Sequence, residues 1–393
     1  MLRGGSGLGR SSGGWVLTTS KVRSSGALRR MAAMDETMFH ELKKEVIDPG
    51  FCVLCGACSG FCDRIELDYE GAIPRLVGSC VKGCSNCYDH CPMRAGFDPS
   101  QVFGKTEGDP IIGPYTEVKA VRAADEEVRE KAQDGGAVTA ILSAVLDRGK
   151  IDAAVVVERD EKWRPIPRIV TSKDGLASSR GSKYSPSPNA DELGRVFRRE
   201  DIKSVAVVDV GCHIRAIRNM EYGILYNAGF SPYSDLKIYT IGLFCSGNFI
   251  YRRLLPHLKE PEAIKKMDVT RGMFTASGRE KESRPVSQLE DALMPSCHLC
   301  GDYTAELADL SVGSIGSPEG YSTVIARNLM GWGMLRDAVQ RGYAEADPGL
   351  VDLEALKKTV KRKREKALRR INREREQGKA TPGYIQCLLM GKG

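Results

Sequence analysis

Cysteines crowd into the stretch from Cys52 to Cys91, and their spacing is that of metal ligands. Cys52, Cys55, Cys58 and Cys62 form a C-x2-C-x2-C-x3-C run, and Cys80, Cys84, Cys87 and Cys91, followed by Pro92, form a C-x3-C-x2-C-x3-C-P run. Thiolates two residues apart reach three corners of one iron–sulfur cube from a single tight loop, while the fourth cysteine of each run crosses over to the other cube. The spacing therefore groups Cys52, Cys55, Cys58 and Cys91 on one 4Fe-4S cluster, and Cys80, Cys84, Cys87 and Cys62 on a second. Asp63 stands where the first run usually has proline, and the second run has one extra residue between Cys80 and Cys84. Zinc also takes four cysteines, but zinc ribbons set two C-x2-C pairs well apart. A disulfide framework needs an oxidising compartment, and no signal peptide with an apolar core precedes the cysteines.

Beyond this stretch the pattern becomes α/β. Val138, Ile141, Leu142, Val145 and Leu146 fall at helical spacing behind the pair Gly135-Gly136. A glycine pair at a helix N-terminus offers backbone N–H groups to an anion, although such a pair by itself is more often only a turn. Ala153 to Val157, Val205 to Val210 and Ile238 to Phe244 read as buried strands separated by helical stretches. Cys212 and Cys245 follow the last two, at the carboxyl strand ends where open α/β sheets bind ligands. Cys297 and Cys300 add a further C-x2-C pair. Each alone reads as a small buried hydrophobe; together the four supply the thiolates of a third 4Fe-4S cluster, which leaves Cys387 as the thirteenth cysteine, without a role.

The 393 residues suffice for two or three domains, and no apolar run of about 18 residues suggests a membrane span. The net charge of +7 is uneven. Residues 1–34 carry six Lys/Arg and no acid, and residues 357–375 carry eleven Lys/Arg against Glu365 and Glu374, so the body between them is acidic and nucleic acid is not an implied partner. The Gly/Ser/Arg-rich leader, residues 1–34, reads as a segment with little fixed structure, as an organellar transit peptide, or as sequence upstream of a true start at Met31 or Met34. The expected organisation is a two-cluster ferredoxin-like α+β module over residues 35–99, a linker over 100–114, an α/β flavin-binding domain over 115–350, and a basic helix and tail over 351–393. In that helix Leu353, Leu356, Val360, Ala367 and Ile371 form an apolar stripe interrupted by Arg364. The stripe suits simple docking; the basic face would also suit an acidic partner or an anionic coenzyme tail.

From about Tyr115 onward the chain resembles the family of coenzyme F420 hydrogenase and dehydrogenase beta subunits. The resemblance is carried by Gln133-Asp134-Gly135-Gly136 with Thr139, by Gly181-Ser182-Lys183-Tyr184 with Ser187-Pro188-Asn189, and above all by Cys297-His298-Leu299-Cys300-Gly301-Asp302-Tyr303, running through Glu306-Leu307-Ala308-Asp309 to Gly313-Ser314-Ile315-Gly316-Ser317-Pro318-Glu319-Gly320 and Ser322-Thr323-Val324-Ile325. The cysteine-rich stretch is similar to the ferredoxin-like module of fused members such as the F420H2 dehydrogenase input subunit. The resemblance implies FAD in the α/β domain, held by Asp134, Gly135, Gly136, Thr139, Lys183, Tyr184, Asn189, Gly316, Ser322 and Thr323, with Lys183 as the cationic contact to its pyrophosphate and Tyr321 close by. It also implies a 4Fe-4S cluster beside the flavin on Cys212, Cys245, Cys297 and Cys300.

Coenzyme F420 is a deazaflavin that moves hydride, whereas a 4Fe-4S cluster takes one electron at a time, so the implied task of FAD is to divide the pair. No side chain need act as nucleophile or base, and catalysis would rest on positioning. The implied partners are F420 and redox subunits of a hydrogenase, formate dehydrogenase or membrane dehydrogenase complex, with the chain cytoplasmic, archaeal and tied to methanogenesis, and at most peripheral to a membrane. Two other readings are a ferredoxin-dependent reductase of the hydroxymethyl-chlorophyll reductase type, and an electron-wire protein that binds no substrate.

Overall fold

A computed structural model describes residues 37–94, 97–104, 108–227 and 235–385; the leader and Cys387 lie outside them. The strands run in chain order as a hairpin, β1 (Ile65–Asp68) and β2 (Ile73–Leu76), then β3 (Glu117–Ala123), β4 (Ala153–Arg159), β5 (Pro165–Val170), β6 (Ser204–Val210) and β7 (Lys237–Leu243). A small antiparallel sheet follows, β8 (Lys266–Thr270), β9 (Met273–Ser277) and β10 (Lys281–Pro285), and the chain returns through β11 (Leu310–Gly313), β12 (Ser322–Ala326) and β13 (Ala344–Asp347).

Eight of these strands make one mixed sheet in the order β13-β3-β12-β11-β7-β6-β4-β5. The central strands β11, β7, β6 and β4 are parallel, and β12, β3, β13 and β5 join antiparallel at the flanks. A parallel centre must be covered on both faces, which is why these strands read as continuous apolar runs. Alternate residues divide between two cores: Ala153, Val155, Val205, Val207 and Ile238 meet Leu193, Ile214 and Ile217 on one face, while Ala154, Val156, Ala206 and Ile241 meet Ile141, Val145 and Leu335 on the other. In the β6–β7 register Ser204 stands opposite Lys237 and Val210 opposite Leu243, so the two strands end level and deliver Cys212 and Cys245 side by side.

The cysteine-rich segment shares the first of these cores instead of standing apart. Phe39, Leu42, Val46 and Tyr88 pack in it with Leu193, Val196 and Phe197. Two glycines allow the approach, because a Cβ on Gly194 would collide with the Gly60 backbone and a Cβ on Gly60 would lie 2.8 Å from the Ala190 carbonyl. Ala190 N–H donates to the Cys55 carbonyl at 3.1 Å across the same contact. The expected linker over 100–114 is likewise docked along part of its length. Ser100–Phe103 is a short helix, and Ile112 is fully buried with Ile325, Leu356 and Val360. The fully buried Arg327 donates to the carbonyls of Ile112 (2.7 Å) and Pro114 (3.1 Å).

The basic C-terminal stretch is a helix, Leu353–Glu376, capped by the Asp352 carboxylate, which accepts from Ala355 N–H. Its buried residues are Leu356, Val360, Ala367 and Ile371. Arg364, which interrupts the stripe, donates to the Pro110 and Ile111 carbonyls and pairs with Glu306 at 2.7 Å.

Replacing Gly194 with alanine is expected to destabilise the protein by about 1–3 kcal/mol, the usual range for overpacking a tight contact. Thermal unfolding measures this, and an unchanged melting temperature would show that the two glycine backbones do not meet.

Candidate functional site

A crevice opens beyond the carboxyl ends of β6, β7 and β11, between Val208–Val210, Leu243–Asn248 and Val312–Ser314. Its volume is about 270 Å³, near the lower end of the roughly 300–1,000 Å³ typical of ligand pockets. The N-terminus of the Ala137–Asp147 helix faces it through Gly136, Ala137, Val138 and Thr139, so unpaired backbone N–H groups point at any anion there. The glycine pair serves two needs. Gly136 has φ +76°, and a Cβ on Gly135 would lie 2.6 Å from the Val121 carbonyl and 2.8 Å from Ser322 N.

The residues that the resemblance assigned to the flavin divide into two groups. Asp134, Gly136, Thr139, Lys183, Tyr184 and Ser322 line the crevice, whereas Gly135, Asn189, Gly316 and Thr323 stand behind its wall. Asn189 is fully buried and ties its segment to β6, donating to the Val208 carbonyl at 2.8 Å while accepting from Ser187 Oγ at 2.9 Å. Thr323 and Ser317 share a hydroxyl hydrogen bond of 2.6 Å beside Gly316, whose φ is +101°. Tyr321 is also absent from the lining, and its ring lies under the Arg122 guanidinium.

Lys183 is buried, and its ammonium donates to the carbonyls of Ser179 (2.6 Å), Arg180 (3.1 Å) and Gly181 (2.8 Å). Burial and then the Arg159 charge pull its pKa down to about 7, yet three acceptors are one more than a neutral amine can serve. We therefore read Lys183 as an ammonium that holds the 179–181 loop in shape. Arg180, in that loop, is the cation with capacity to spare. Its Nε and Nη1 are buried and make no close hydrogen bond, and Nη1 is in ion-pair range of Glu127 Oε1 at 3.5 Å. Arg180 and Thr139 also line a second, open cavity of about 670 Å³, so the two cavities share these wall residues. The sequence reading missed Arg180, although it directly precedes the Gly181-Ser182-Lys183-Tyr184 motif.

On the far side of the crevice wall the cysteines converge. Cys212, Cys245, Cys297 and Cys300 line one small cavity, and Cys52, Cys55, Cys58 and Cys91 line another. Cys87 interacts electrostatically with Cys80, Cys62 and Cys84. These are the three sets that the spacing and the resemblance gave. All of the described cysteines are free. Burial pushes Cys52 up to about 11, and burial followed by neighbouring sulfurs pushes Cys87 and Cys297 up to about 12. Thiols so crowded are costly to ionise alone and suited to iron, which binds them deprotonated. Among the described residues no three His, Cys, Asp or Glu side chains are disposed to hold a single metal ion.

The cavities adjoin. The crevice and the inner quartet share Val210, Cys245 and Asn248 as wall residues, and the inner quartet shares Val53 and Met93 with the next. His213, fully buried, spans the second junction: Nε2 is 2.8 Å from the Val53 carbonyl and Nδ1 is 3.0 Å from Asp209 on the crevice wall. Burial lowers the pKa of His213, but the Asp209 charge and the hydrogen bonds to Asp209 and to the Val53 and Ser187 backbone together outweigh it, and the pKa is raised. Another residue the sequence reading missed is Lys363 of the C-terminal helix. Its half-buried ammonium donates to the carbonyls of Cys245 and Asp302, each at 2.6 Å. The available signal was its position between Val360 and Ala367, on the apolar stripe.

Residues 118–193 match the family model for the N-terminal part of the coenzyme F420 hydrogenase/dehydrogenase beta subunit, and residues 202–349 match that for its C-terminal part. The coenzyme F420 hydrogenase subunit beta of Methanothermobacter thermautotrophicus is 34% identical over 282 residues, 69% of this chain and 99% of that one. The chain belongs to the family of coenzyme F420 hydrogenase/dehydrogenase beta subunits. An F420H2 dehydrogenase subunit of Methanosarcina mazei is 28% identical over 347 residues, 81% of this chain and 91% of that one. Among solved structures, a chain of the F420-reducing [NiFe] hydrogenase complex of Methanosarcina barkeri superposes with a TM-score of 0.65 at 30% identity, covering 71% of this chain and 99% of that one. The large mixed sheet is thus the fold of this family.

Asp134 gives this family member a pH signature. Burial, opposed by Lys266 and reinforced by Asp268, raises its pKa from 3.8 to about 6, so the native state holds the proton longer than the unfolded state and stability falls as pH rises through that window. The Asp134→Asn variant escapes this loss. Its stability advantage over wild type is expected to widen by about 1 kcal/mol between pH 5 and 7 and to stay flat above. A pH-independent difference in thermal unfolding would contradict it.

Proposed function

We propose that the chain is the F420-reactive electron-transfer subunit of a larger redox complex, with FAD in the crevice and three 4Fe-4S clusters on the three cysteine quartets. In this reading residues 35–99 are the two-cluster module, 100–114 its docked connection, 115–350 the flavin and inner-cluster domain, and 351–393 the basic helix and tail. The observation that carries the reading is the run of adjoining cavities from crevice to inner quartet to Cys52–Cys91 quartet, each sharing wall residues with the next. FAD, when bound, supplies exchange between a two-electron hydride carrier and one-electron centres.

The chain's own residues bind, orient and exclude water. Gly136 through Thr139 present helix N-terminal N–H groups to a phosphoryl group, and Arg180 offers its buried guanidinium nitrogens where the linings of the two cavities overlap. Tyr184 Oη accepts from Val269 N–H at 3.0 Å and stands 3.4 Å from Asp268, which fixes one side wall. Cys212, Cys245, Cys297 and Cys300 would hold the inner cluster behind Val210 and Asn248, with Cys52, Cys55, Cys58 and Cys91, then Cys62, Cys80, Cys84 and Cys87, holding the outer two. Partner redox subunits would take the electrons from the outer end. Among the described residues no helix is long and apolar enough to cross a membrane.

Anaerobically prepared protein is expected to hold about twelve iron atoms with one FAD, and to pass electrons from F420H2 to a viologen dye. Flavin without F420H2 oxidation, or zinc in place of iron, would overturn the proposal. Replacing Arg180 with alanine should weaken FAD binding roughly tenfold to a hundredfold, the worth of a hydrogen bond to a charged group, and leave riboflavin, which lacks phosphate, unaffected. Equal loss for both ligands, or for neither, in a fluorescence titration would remove Arg180 from the phosphate site.

A further inference from the structure

The inner quartet differs from the others in the charges around it. Lys363 reaches it from the C-terminal helix, and its half-buried side chain interacts electrostatically with Cys300, Cys245 and Cys297. Arg215, one turn along the helix that begins at Gly211, is buried, stacks its guanidinium 4.0 Å from the centre of the Tyr384 ring, and interacts with Cys300 and Cys212. Between them the two cations face all four sulfurs. The nearby carboxylates are Asp302, which interacts with both cations, and Asp209, which is engaged with His213. Two cations, each interacting with at least two of its cysteines, are therefore set against this quartet. Around the Cys52 quartet the cavity lining is apolar, with Leu42, Val46, Ile47, Leu54 and Leu67, and the cation that acts there is Arg94, on Cys91 from outside the lining.

We infer that Lys363, assisted by Arg215, is the electrostatic control of the inner redox centre: it stabilises the reduced, more negative state and so raises the reduction potential of that centre. Potentials of iron–sulfur sites follow net charge, hydrogen bonding and exposure, and a fixed charge acts most strongly where water is excluded. Reduction adds to the quartet-bound centre one electron, supplied by the reduced flavin of the proposed function or by the chemical reductant in a titration, so the negative charge facing each cation grows by one. The helix bearing Lys363 is tied through Arg364 to Glu306 and to the 110–111 backbone. The C-terminal helix thereby acts on electron flow from the back of the site, without touching the crevice. This inference rests on reading the inner quartet as an iron–sulfur site.

The test is an anaerobic redox titration of the holoprotein followed by EPR, the inner signal being the one that Cys300→Ser removes. The variant Lys363→Gln keeps a donor for the two carbonyls without the charge, and Lys363→Arg keeps the charge. With full iron content, Lys363→Gln is expected to lower the inner potential by at least a tenfold change in the reduced-to-oxidised ratio, about 59 mV for one electron, and Lys363→Arg to stay near wild type. An unchanged potential in Lys363→Gln, or an equal fall in Lys363→Arg, overturns the inference. Should Lys363→Gln lose iron, Arg215→Gln decides on the same readout: a fall supports electrostatic control and no change overturns it. Failure of the underlying reading looks different, because Cys300→Ser would then keep the iron content and the signals of the wild type.

Discussion

The level ending of β6 and β7 is the constraint on which the rest of the molecule depends. Because Val210 and Leu243 are paired in register, the two chains leave the sheet at the same height and turn there. Val210 and Cys245 then become a wall with a ligand crevice on one side and a thiol quartet on the other. A slip of one residue would turn every side chain of the strand to the opposite core, and would stagger the points at which the two chains leave the sheet toward Cys212 and Cys245. The glycine contact between Gly60 and Gly194 applies the same logic one layer further out, seating the next quartet against Val53 and Met93.

Buried charge keeps this region rigid. Arg218 donates to the Leu307 carbonyl, Thr240 and Asp309, and Asp309 accepts from the Thr240 N–H of β7, so the loop carrying Cys297 and Cys300 is led into β11 by a satisfied network. Arg327 does the same for the connection between the cysteine-rich segment and the sheet. Removing one member of such a network leaves an uncompensated charge in the core, which costs far more than a surface ion pair is worth. Lys363 and Arg364, neighbours on one helix, divide the work: one meets the inner quartet and the other anchors the helix to Glu306.

Much of this was legible in the chain. The three strand runs were read within two residues because a parallel sheet centre needs unbroken apolar sequence. The spacing also anticipated that Cys91 lies with Cys52, Cys55 and Cys58, and Cys62 with Cys80, Cys84 and Cys87. Lys183 shows why the rest was not: a lysine in a glycine-rich motif looks like a phosphate ligand, but only the folded loop reveals that its three donors are already taken. The linker over 100–114 looked free because its Gly and Pro content signals turns, and burial of Ile112 depends on a helix more than two hundred residues away. Lys363 was hidden by the habit of counting a basic residue on a helix as solvated.

The central claim is that electrons leave the crevice through the inner quartet before reaching the other two. The most direct measurement is rapid-freeze EPR of the Cys300→Ser protein mixed with F420H2, with the flavin band followed in parallel by stopped flow. The account requires the flavin to bleach while the clusters on Cys52, Cys55, Cys58 and Cys91 and on Cys62, Cys80, Cys84 and Cys87 remain oxidised. Reduction of those outer clusters at the wild-type rate would contradict it.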